Sequence, residues 1–324
     1  MDGRAAAPGT ALQRPAAPAL SIVSPVHNEG ASLAAFVTAV HGALADLHLD
    51  YEVVLVDDGS RDDTWQRIRA AAAADPRVRG LSFSRNFGKE AAMRAGLEEA
   101  RGQAVIVIDA DLQHPPDVIP AMVAAWREGA EVVEAYKRNR PDQTLASRSA
   151  SRLFNWGFSR LTAVELSDAT DFRLLTRPAV EALLAMPERS SFFRGTSTWI
   201  GFRRARVGFE VAPRDAGQTR WSVRSLARMA IDAITAFTPA PLRLVTVAGI
   251  VFALFAVVLG VQTIWQWAAG DAIQGFTTVI LILLVQGTFV LVGLGIIGEY
   301  LARVHDEVKG RPRFIVARRT DDPS

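Results

Sequence analysis

The sequence predicts an α/β domain with a mostly parallel sheet and flanking helices, followed by an interfacial helix and a two-helix transmembrane hairpin. Three observations support this prediction. Short apolar runs alternate with segments of helical periodicity across the first two-thirds of the 324 residues. Polar residues follow directly after each apolar run. Beyond about Leu242, the apolar residues condense into two long blocks.

The predicted strands are four short apolar runs, 20–26, 51–56, 78–83 and 104–108. The segments between them favour helices over 32–47, 64–74 and 89–100. Continuous apolar strands that alternate with helices are typical of a parallel sheet covered on both faces. In such sheets ligands bind beyond the carboxyl ends of the strands. The polar residues after each strand are therefore the candidate functional residues.

The composition excludes several classes of protein. Lys+Arg number 36 against 34 Asp+Glu, a net charge of +2 that is too small to predict a nucleic-acid partner. The chain has no cysteine, which excludes disulfides, thiolate nucleophiles and cysteine–zinc sites. Residues 1–19 are rich in Ala, Pro and Gly and lack the apolar run of a secretion signal. We expect a disordered lead-in before a cytosolic domain at 20–220.

Asp109 and Asp111 follow the fourth predicted strand and flank a single residue. Both can reach one cation, and Gln113 offers a further oxygen. Mg²⁺ and Mn²⁺ prefer carboxylate oxygens and take remaining ligands from water and substrate phosphates. A helix cap or turn is the usual explanation of an isolated Asp-x-Asp. Its position after a buried strand, with prolines following, favours a metal site here.

Asp57 and Asp58 follow the second predicted strand and precede Gly59 and Ser60. The carboxylates can accept hydrogen bonds from a base or a ribose, and Asp-Gly-Ser is also good β-turn chemistry. Both interpretations can hold together. A Gly-x-Gly-x-x-Gly pattern occurs only at 293–298, inside an apolar block. Since it does not lie between a strand and a helix, it does not predict dinucleotide binding, and small residues there permit helix packing and a homo-oligomer.

The region 242–300 predicts a transmembrane hairpin with spans at 244–265 and 276–297. Neither span contains Asp, Glu, Lys or Arg, and each has the length that a bilayer needs. Basic residues lie on both outer flanks and none lies in the connection, which predicts cytosolic ends. Residues 221–241 suit an amphipathic helix in the interface or a plain packing helix. Residues 301–324 are expected to form a basic cytosolic tail.

Together these segments resemble the GT-A fold glycosyltransferases of family 2, whose fold is Rossmann-like. More narrowly, they resemble the polyprenyl-phosphate enzymes related to dolichol-phosphate mannose synthase and the bactoprenol glucosyltransferases. Eight segments in order carry the resemblance, which runs from about residue 20 to 316: 24–29, 56–60, 84–90, 109–116, 171–175, 194–195, 241–244 and 311–316. Two departures are His27, where the family usually has Tyr, and Arg220-Trp221, where Lys-Tyr is common.

The resemblance implies three groups of site residues. Asp109, Asp111 and Gln113 would bind Mg²⁺ or Mn²⁺, with Asp171 as a further catalytic residue that orients the acceptor or a sugar hydroxyl. The nucleotide sugar would contact Pro25, Glu29, Asp57, Asp58 and Lys89. The acceptor phosphate would contact Arg138, Arg148 and Ser151, although lone arginines there are equally explained as solvated surface.

The implied reaction is inverting, metal-dependent transfer of a monosaccharide, with UDP-glucose favoured, to undecaprenyl or another polyprenyl phosphate. It would occur at the cytosolic face of the bacterial inner membrane. GDP-mannose as donor is one alternative. A processive polysaccharide synthase is another, but its Gln-x-x-Arg-Trp motif is one residue short here, at 218–221. A two-span lipid carrier or scaffold is a third, against which the acids at three strand ends argue.

Overall fold

The structure is a computed structural model that describes residues 18–138, 169–187, 193–210, 240–269 and 276–322. Arg148 and Ser151 lie outside these residues, as do nearly all of the predicted lead-in and interfacial helix.

The described residues form an eight-stranded mixed sheet in the order β7-β5-β6-β4-β1-β2-β3-β8. β1 pairs in parallel with both β2 and β4, and β2 pairs in parallel with β3. β6 and β8 run antiparallel to their neighbours. The strands are β1 (Leu20–Val26), β2 (Tyr51–Asp57), β3 (Val78–Phe83), β4 (Ala104–Val107), β5 (Val132–Lys137), β6 (Ala169–Thr176), β7 (Arg204–Phe209) and β8 (Val316–Arg319).

Helices cover both faces of the sheet, and two longer helices follow it. They are α1 (Gly30–Leu44), α2 (Thr64–Ala74), α3 (Lys89–Glu99), α4 (Ile119–Arg127), α5 (Arg177–Leu184), α6 (Phe193–Trp199), α7 (Ala240–Ala268) and α8 (Phe276–Val308). Short 3-10 helices occupy Ala45–Leu47 and Pro116–Val118.

Side chains of the central strands alternate between two buried clusters. Ile22 and Leu55 pack with Phe36 of α1 on one face. Val23 and Val54 pack with Met93 of α3 on the other. Burial on both faces explains why the strands are continuous apolar runs rather than alternating ones. The apolar area removed from water on each face stabilises the sheet.

The mostly parallel sheet with flanking helices confirms the predicted fold. The first four strands match within one residue at each end. α1 begins two residues before its predicted start and gives way to a 3-10 turn at Ala45–Leu47. The sheet also contains antiparallel strands that the first four apolar runs did not predict.

Three described segments have the length and composition needed to cross a membrane: Gly30–Leu47, Leu242–Gln266 and Ile282–Val308. The first buries Leu33, Phe36 and Val40 against the sheet. The other two leave nearly all of their apolar residues exposed. Phe252 of α7 and Phe289 of α8 lie 4.6 Å apart between ring centroids. A Cβ on Gly293 would lie 3.0 Å from Val245 Cγ1, so the two helices run antiparallel and in contact.

The predicted basic tail contains a strand. After α8 ends at Val308, β8 pairs antiparallel with β3 at the edge of the sheet. Ser84 N–H donates to Ile315 O at 3.0 Å, and Thr320 N–H donates to Gly80 O at 3.0 Å. Residues Val316–Arg319 of the predicted tail are therefore part of the sheet.

Candidate active site

The residues predicted to hold the metal and the nucleotide lie at the carboxyl edge of β1, β2, β3 and β4. Parallel pairing of these strands brings their ends to one side of the sheet, as the sequence pattern required. Lys89, the first residue of α3, lies at the centre of the acidic side chains. Its Nζ is 2.6 Å from Asp109 Oδ1 and 2.7 Å from Asp171 Oδ2. The structure thus brings together Lys89, Asp109 and Asp171, which are widely separated in sequence.

Asp171 lies on β6, whose antiparallel pairing with β4 carries it towards Asp109. Arg194 of α6 binds it through two hydrogen bonds, from Nε to Oδ1 at 2.6 Å and from an Nη to Oδ2 at 2.9 Å. Burial raises the pKa of Asp171, but the hydrogen bonds from Arg194 and the charge of Lys89 outweigh it. Its pKa therefore lies well below the ordinary value, and Asp171 is ionised at neutral pH.

The cationic partners of these acids also remain charged. Burial lowers the pKa of Lys89, but Asp171 and Asp109 raise it further, so the net shift is upward. Lys89 pairs with Asp109 and Asp171, and Arg194 pairs with Asp171. Asp111, which lies in one cluster with Asp109, adds a third carboxylate. The site therefore keeps an excess of negative charge together with donors that suit phosphate oxygens.

Asp109, Asp111 and His114 form a cluster whose potential ligand atoms all lie within 4.8 Å of one another. His114 is 8% exposed and packs between the rings of Phe172 and Phe209. Its buried Nδ1 lies 3.4 Å from Asp109 Oδ2, a long contact with poor hydrogen-bond geometry, and has no other polar partner among the described residues. Two carboxylates beside an unsatisfied imidazole nitrogen fit a divalent cation.

The negative charge of this cluster is maintained. Burial raises the pKa of Asp109, but the neighbouring His114 and the charge of Lys89 outweigh it, so the pKa lies below its ordinary value. An ionised carboxylate is the form that binds a metal.

The turn after Asp111 determines which side chains face the cluster. Leu112 adopts a left-handed backbone conformation with φ of +59°. Gln113 N–H donates to Asp111 Oδ1 at 3.0 Å, while the Gln113 side chain is exposed. His114 then returns towards the aspartates. Gln113 as a ligand stays a prediction, and His114 is a candidate that the sequence argument missed, although the spacing Asp-x-Asp-x-x-His could have indicated it.

Asp57 and Asp58 are buried and use their oxygens within the protein. Asp57 accepts hydrogen bonds from Ser60 N–H at 2.9 Å and from the Ser82 hydroxyl at 2.7 Å. Asp58 accepts them from the N–H groups of Phe87 and Gly88, at 2.6 and 2.9 Å. Burial raises the pKa of Asp58 although these two backbone donors oppose the shift. The pair therefore builds both the turn after β2 and the loop before α3.

The loop after β1 lies against that turn. His27 Nδ1 is 2.9 Å from the carbonyl oxygen of Asp58, and Asn28 N–H donates to the Ser60 hydroxyl. Pro25 is buried within β1, and Glu29, at the start of α1, accepts a hydrogen bond from Ser32. The fold thus brings four predicted residues to the carboxyl edge of the sheet: Pro25, Glu29, Asp57 and Asp58. Their contacts with a nucleotide stay predictions.

Two further residues hold α6, and with it Arg194, against the site. Arg173 is 1% exposed, donates to the carbonyl oxygen of Arg194 at 3.1 Å and pairs with Glu134 at 3.3 Å. Glu90 accepts a hydrogen bond from Phe193 N–H at 3.0 Å, and burial raises its pKa to about 7. Sequence reasoning assigned no role to Arg173, Glu90 or Arg194, because their roles depend on the packing of α6.

Arg138 lies at the end of β5 with an exposed side chain. Its backbone N–H donates to Phe209 O at 2.9 Å. It does not join the Lys89 cluster through any described contact. Because Arg148 and Ser151 fall outside the described residues, the acceptor-phosphate role of all three stays a prediction.

The mostly parallel sheet, the Asp-x-Asp at a strand end and the charged network beside it agree with the GT-A glycosyltransferase fold that the sequence resembles. Comparison with known proteins gives the family. The model of glycosyl transferase family 2 matches residues 21–184. A glycosyltransferase of Synechocystis sp. is 37% identical over 92% of this chain and 94% of that protein. The prophage bactoprenol glucosyl transferase homolog of Escherichia coli is 36% identical over 92% of this chain and 98% of that protein.

The chain belongs to glycosyl transferase family 2 and is a glycosyltransferase. Among solved structures, the mannosyltransferase PcManGT from Pyrobaculum calidifontis, in complex with GDP-Man and Mn²⁺, aligns at 17% identity with a TM-score of 0.44. That alignment covers 86% of this chain and 87% of that one.

Proposed function

We propose that this glycosyltransferase transfers glucose from UDP-glucose to a polyprenyl phosphate, with inversion, at the cytosolic face of the bacterial inner membrane. The observation that carries the proposal is the acidic cluster of Asp109, Asp111 and His114 beside Lys89, in a chain that also has two exposed apolar helices. Similarity to proteins named bactoprenol glucosyl transferase supports the sugar and the lipid acceptor.

The donor would bind between the loops that follow β1, β2 and β3. Asp58 supports this assignment because it connects the turn after β2 to the loop before α3 through two backbone N–H groups. Pro25, Glu29 and Asp57 belong to the same edge. Lys89 follows that loop directly, so its ammonium group can contact the diphosphate of a nucleotide held there.

Asp109 and Asp111 would hold Mg²⁺ or Mn²⁺, with His114 and Gln113 as candidates for a third protein ligand. When bound, the ion neutralises the negative charge that develops on the departing nucleoside diphosphate. The unsatisfied His114 Nδ1 beside two carboxylates supports this assignment.

The remaining residues act by holding and orienting charge. Asp171 fixes Lys89 and Arg194, so two cations face the position of the reacting phosphates. A polyprenyl monophosphate is already an anion at neutral pH, and its oxygen needs no general base. That oxygen forms a bond to the anomeric carbon while the bond from this carbon to the nucleoside diphosphate breaks, and the electron pair leaves with the diphosphate. The lowered pKa of Asp171 agrees with a positioning role rather than proton transfer.

The acceptor is proposed to reach the site from the membrane. α7 and α8 would cross the bilayer as a hairpin, with Arg243 in the first turn of α7 and Lys309 and Arg311 after α8. The residues 270–275 that connect the helices contain no basic side chain. Positive flanks on both outer sides favour cytosolic termini. Arg138, Arg148 and Ser151 would then contact the acceptor phosphate.

Labelled nucleotide sugars test the proposal directly. Membranes that contain the full chain would be incubated with UDP-[¹⁴C]glucose, GDP-[¹⁴C]mannose or UDP-[¹⁴C]N-acetylglucosamine, and the lipids would then be extracted. We expect label in a monosaccharide lipid from UDP-glucose, and none with membranes that lack the chain. Lipid label from GDP-mannose alone would replace glucose with mannose, and insoluble polymer would indicate a processive synthase. No label from any donor would overturn the proposal.

A further inference from the structure

Strand β8 pairs with β3 at the lateral edge of the sheet, next to the strands whose carboxyl ends form the proposed donor site. It pairs with β3 in the register Leu81↔Arg319, Ser82↔Arg318 and Phe83↔Val316, with an irregularity between Ser82 and Phe83. Seven residues separate it from the end of α8. A segment of this length reaches at most about 25 Å when fully extended. The last residues of α8 and the edge of the sheet are therefore closely connected.

Contacts beyond the strand pairing fix this segment in place. The ring of Phe314 stacks on Phe83 with 5.0 Å between centroids. Arg313 donates to the carbonyl oxygens of Met186 and Pro187, beyond the end of α5. Gly80 N–H donates to the Thr320 hydroxyl at 2.9 Å. Aromatic stacking and hydrogen bonds on both sides of β8 make it a docked strand rather than a loose tail.

A chain of hydrogen bonds leads from β8 to Asp57. Arg318 donates from an Nη to the Ser82 hydroxyl at 3.1 Å, and that hydroxyl donates to Asp57 Oδ2 at 2.7 Å. Ser82 and Asp57 are both fully buried. The Arg318 guanidinium also lies over the ring of Trp65, 5.1 Å from its centroid. The other oxygen of Asp57 holds Ser60 N–H, in the turn after β2.

This arrangement determines how the Ser82 hydroxyl is used. A hydroxyl has one proton to donate, and the guanidinium occupies an acceptor site on its oxygen. The proton is thereby directed to Asp57, and the positive charge of Arg318 strengthens that hydrogen bond. Without the guanidinium the hydroxyl can rotate, and Asp57 loses part of its support.

We propose that Arg318 is a positioning residue for the donor site, acting through Ser82 on Asp57 and on the turn that Asp57 holds. Strand β8 thereby links the end of α8 to the turn beside which the nucleotide is proposed to bind. The inference rests on the proposed function, because it assumes that a nucleotide binds beside this turn.

The test is nucleotide binding by the full chain in detergent, measured by isothermal titration calorimetry with UDP and with GDP. Arg318→Met keeps an unbranched side chain and removes the guanidinium, which contacts both Ser82 and the ring of Trp65. We expect the Kd for the bound nucleotide to rise about fivefold, which is less than a lost direct charge-assisted hydrogen bond would give because Arg318 acts through Ser82. We expect kcat to stay within about twofold while KM for the donor rises. Arg319→Met is the matched control, because Arg319 pairs with Glu99 and does not contact Ser82. It should leave the Kd unchanged.

A double-mutant cycle distinguishes an effect through the hydrogen bonds from Arg318 to Ser82 and from Ser82 to Asp57 from a general loss of stability. Ser82→Ala should weaken nucleotide binding, and adding Arg318→Met to it should have little further effect, because both changes break the same chain of hydrogen bonds. Arg318→Lys should recover part of the affinity. Additive effects, or an Arg318→Met chain that binds nucleotide with unchanged Kd, would overturn the inference alone. If neither UDP nor GDP binds the unaltered chain, the proposed function and the inference both fail.

Discussion

Two pairs of aspartates end the two strands that flank β1, and the protein uses them differently. Asp57 and Asp58, after β2, are 0% and 3% exposed, and all four of their oxygens accept hydrogen bonds from the protein. Asp109 and Asp111, after β4, are half-buried, and beside them lie a lysine and an unsatisfied imidazole nitrogen. The first pair shapes the loops and the second remains available to a cation.

The difference shows that the role of a carboxylate at a strand end depends on the hydrogen-bond donors that surround it. Backbone N–H groups and hydroxyls around Asp57 and Asp58 come from neighbouring loops and satisfy the charge. Around Asp109 and Asp111 the described backbone supplies one N–H, from Gln113. The remaining negative charge there is balanced by the ammonium group of Lys89 and by Arg194 through Asp171. Lys89 contacts both oxygens of Asp109, at 2.6 and 2.8 Å, so a divalent ion there would share these oxygens with a side-chain ammonium group rather than with backbone N–H groups.

The largest expected effect is that of Asp111→Asn. It removes one carboxylate from the cation cluster, so Mn²⁺ affinity and turnover should both fall by at least about a thousandfold. Electron paramagnetic resonance of Mn²⁺ titrated into the full chain measures binding independently of turnover. Asp117→Asn is the matched control, because Asp117 is exposed in the following 3-10 helix. Equal Mn²⁺ binding by the two variants would show that Asp111 is not a ligand.

The next effect in size is that of Asp58→Ala on stability. It leaves the N–H groups of Phe87 and Gly88 without their acceptor, which should lower the free energy of unfolding by about 2 to 4 kcal/mol. Thermal unfolding in detergent should show a lower Tm than for Asp46→Ala, a change at an exposed site. If Asp58→Ala kept its Tm and lost only nucleotide binding, Asp58 would not stabilise the loops, and the proposed difference between the two aspartate pairs would be wrong.

Glu90 lies at the start of α3, next to Lys89, and its pKa is raised from the ordinary 4.5 to about 7 by burial. A raised pKa means that the folded state holds the proton more tightly than the unfolded state. The associated stability is therefore full below pH 4.5 and is lost as the pH rises through 7. Relative to Glu90→Gln, the unaltered chain should lose about 2 kcal/mol between about pH 5.5 and 8.

Thermal unfolding at the two pH values measures this difference. The exposed Glu128 offers the control, since Glu128→Gln should follow the unaltered chain at both pH values. If Glu90→Gln had the same pH dependence as the unaltered chain, the pKa of Glu90 would not be raised in the folded state.

The smallest expected effect separates the two candidate third ligands. His114→Phe keeps a ring between Phe172 and Phe209 and removes the nitrogen, so Mn²⁺ affinity should fall about tenfold. Gln113→Ala, at an exposed side chain one residue earlier, should change it less. Mn²⁺ titration of both variants shows whether loss of His114 or loss of Gln113 weakens Mn²⁺ binding more. A larger loss in Gln113→Ala would restore Gln113 as the ligand that the family resemblance implies.

Much of the fold could be predicted because its signals are local. The apolar runs at 20–26, 51–56, 78–83 and 104–108 are continuous since both faces of the sheet are covered, and each is followed by the polar residues of one edge. The same reasoning placed Asp57, Asp58, Asp109 and Asp111 at that edge. The length and uniform apolarity of α7 and α8 are local properties too, and they suffice to make both helices candidate membrane spans.

The sequence by itself thus determined the first four of the eight described strands, where they end and which acids lie there. Only the tertiary structure decided which acids are already satisfied, because the donors to Asp58 and Asp171 come from residues about 30 and 20 or more positions away. It also decided that Lys89 joins Asp109 to Asp171, that His114 turns back to the aspartates, and that the expected tail adds β8 to the sheet. Hydrogen bonds and ion pairs between distant segments leave no periodic pattern in the sequence, so they become visible only when packing brings the segments together.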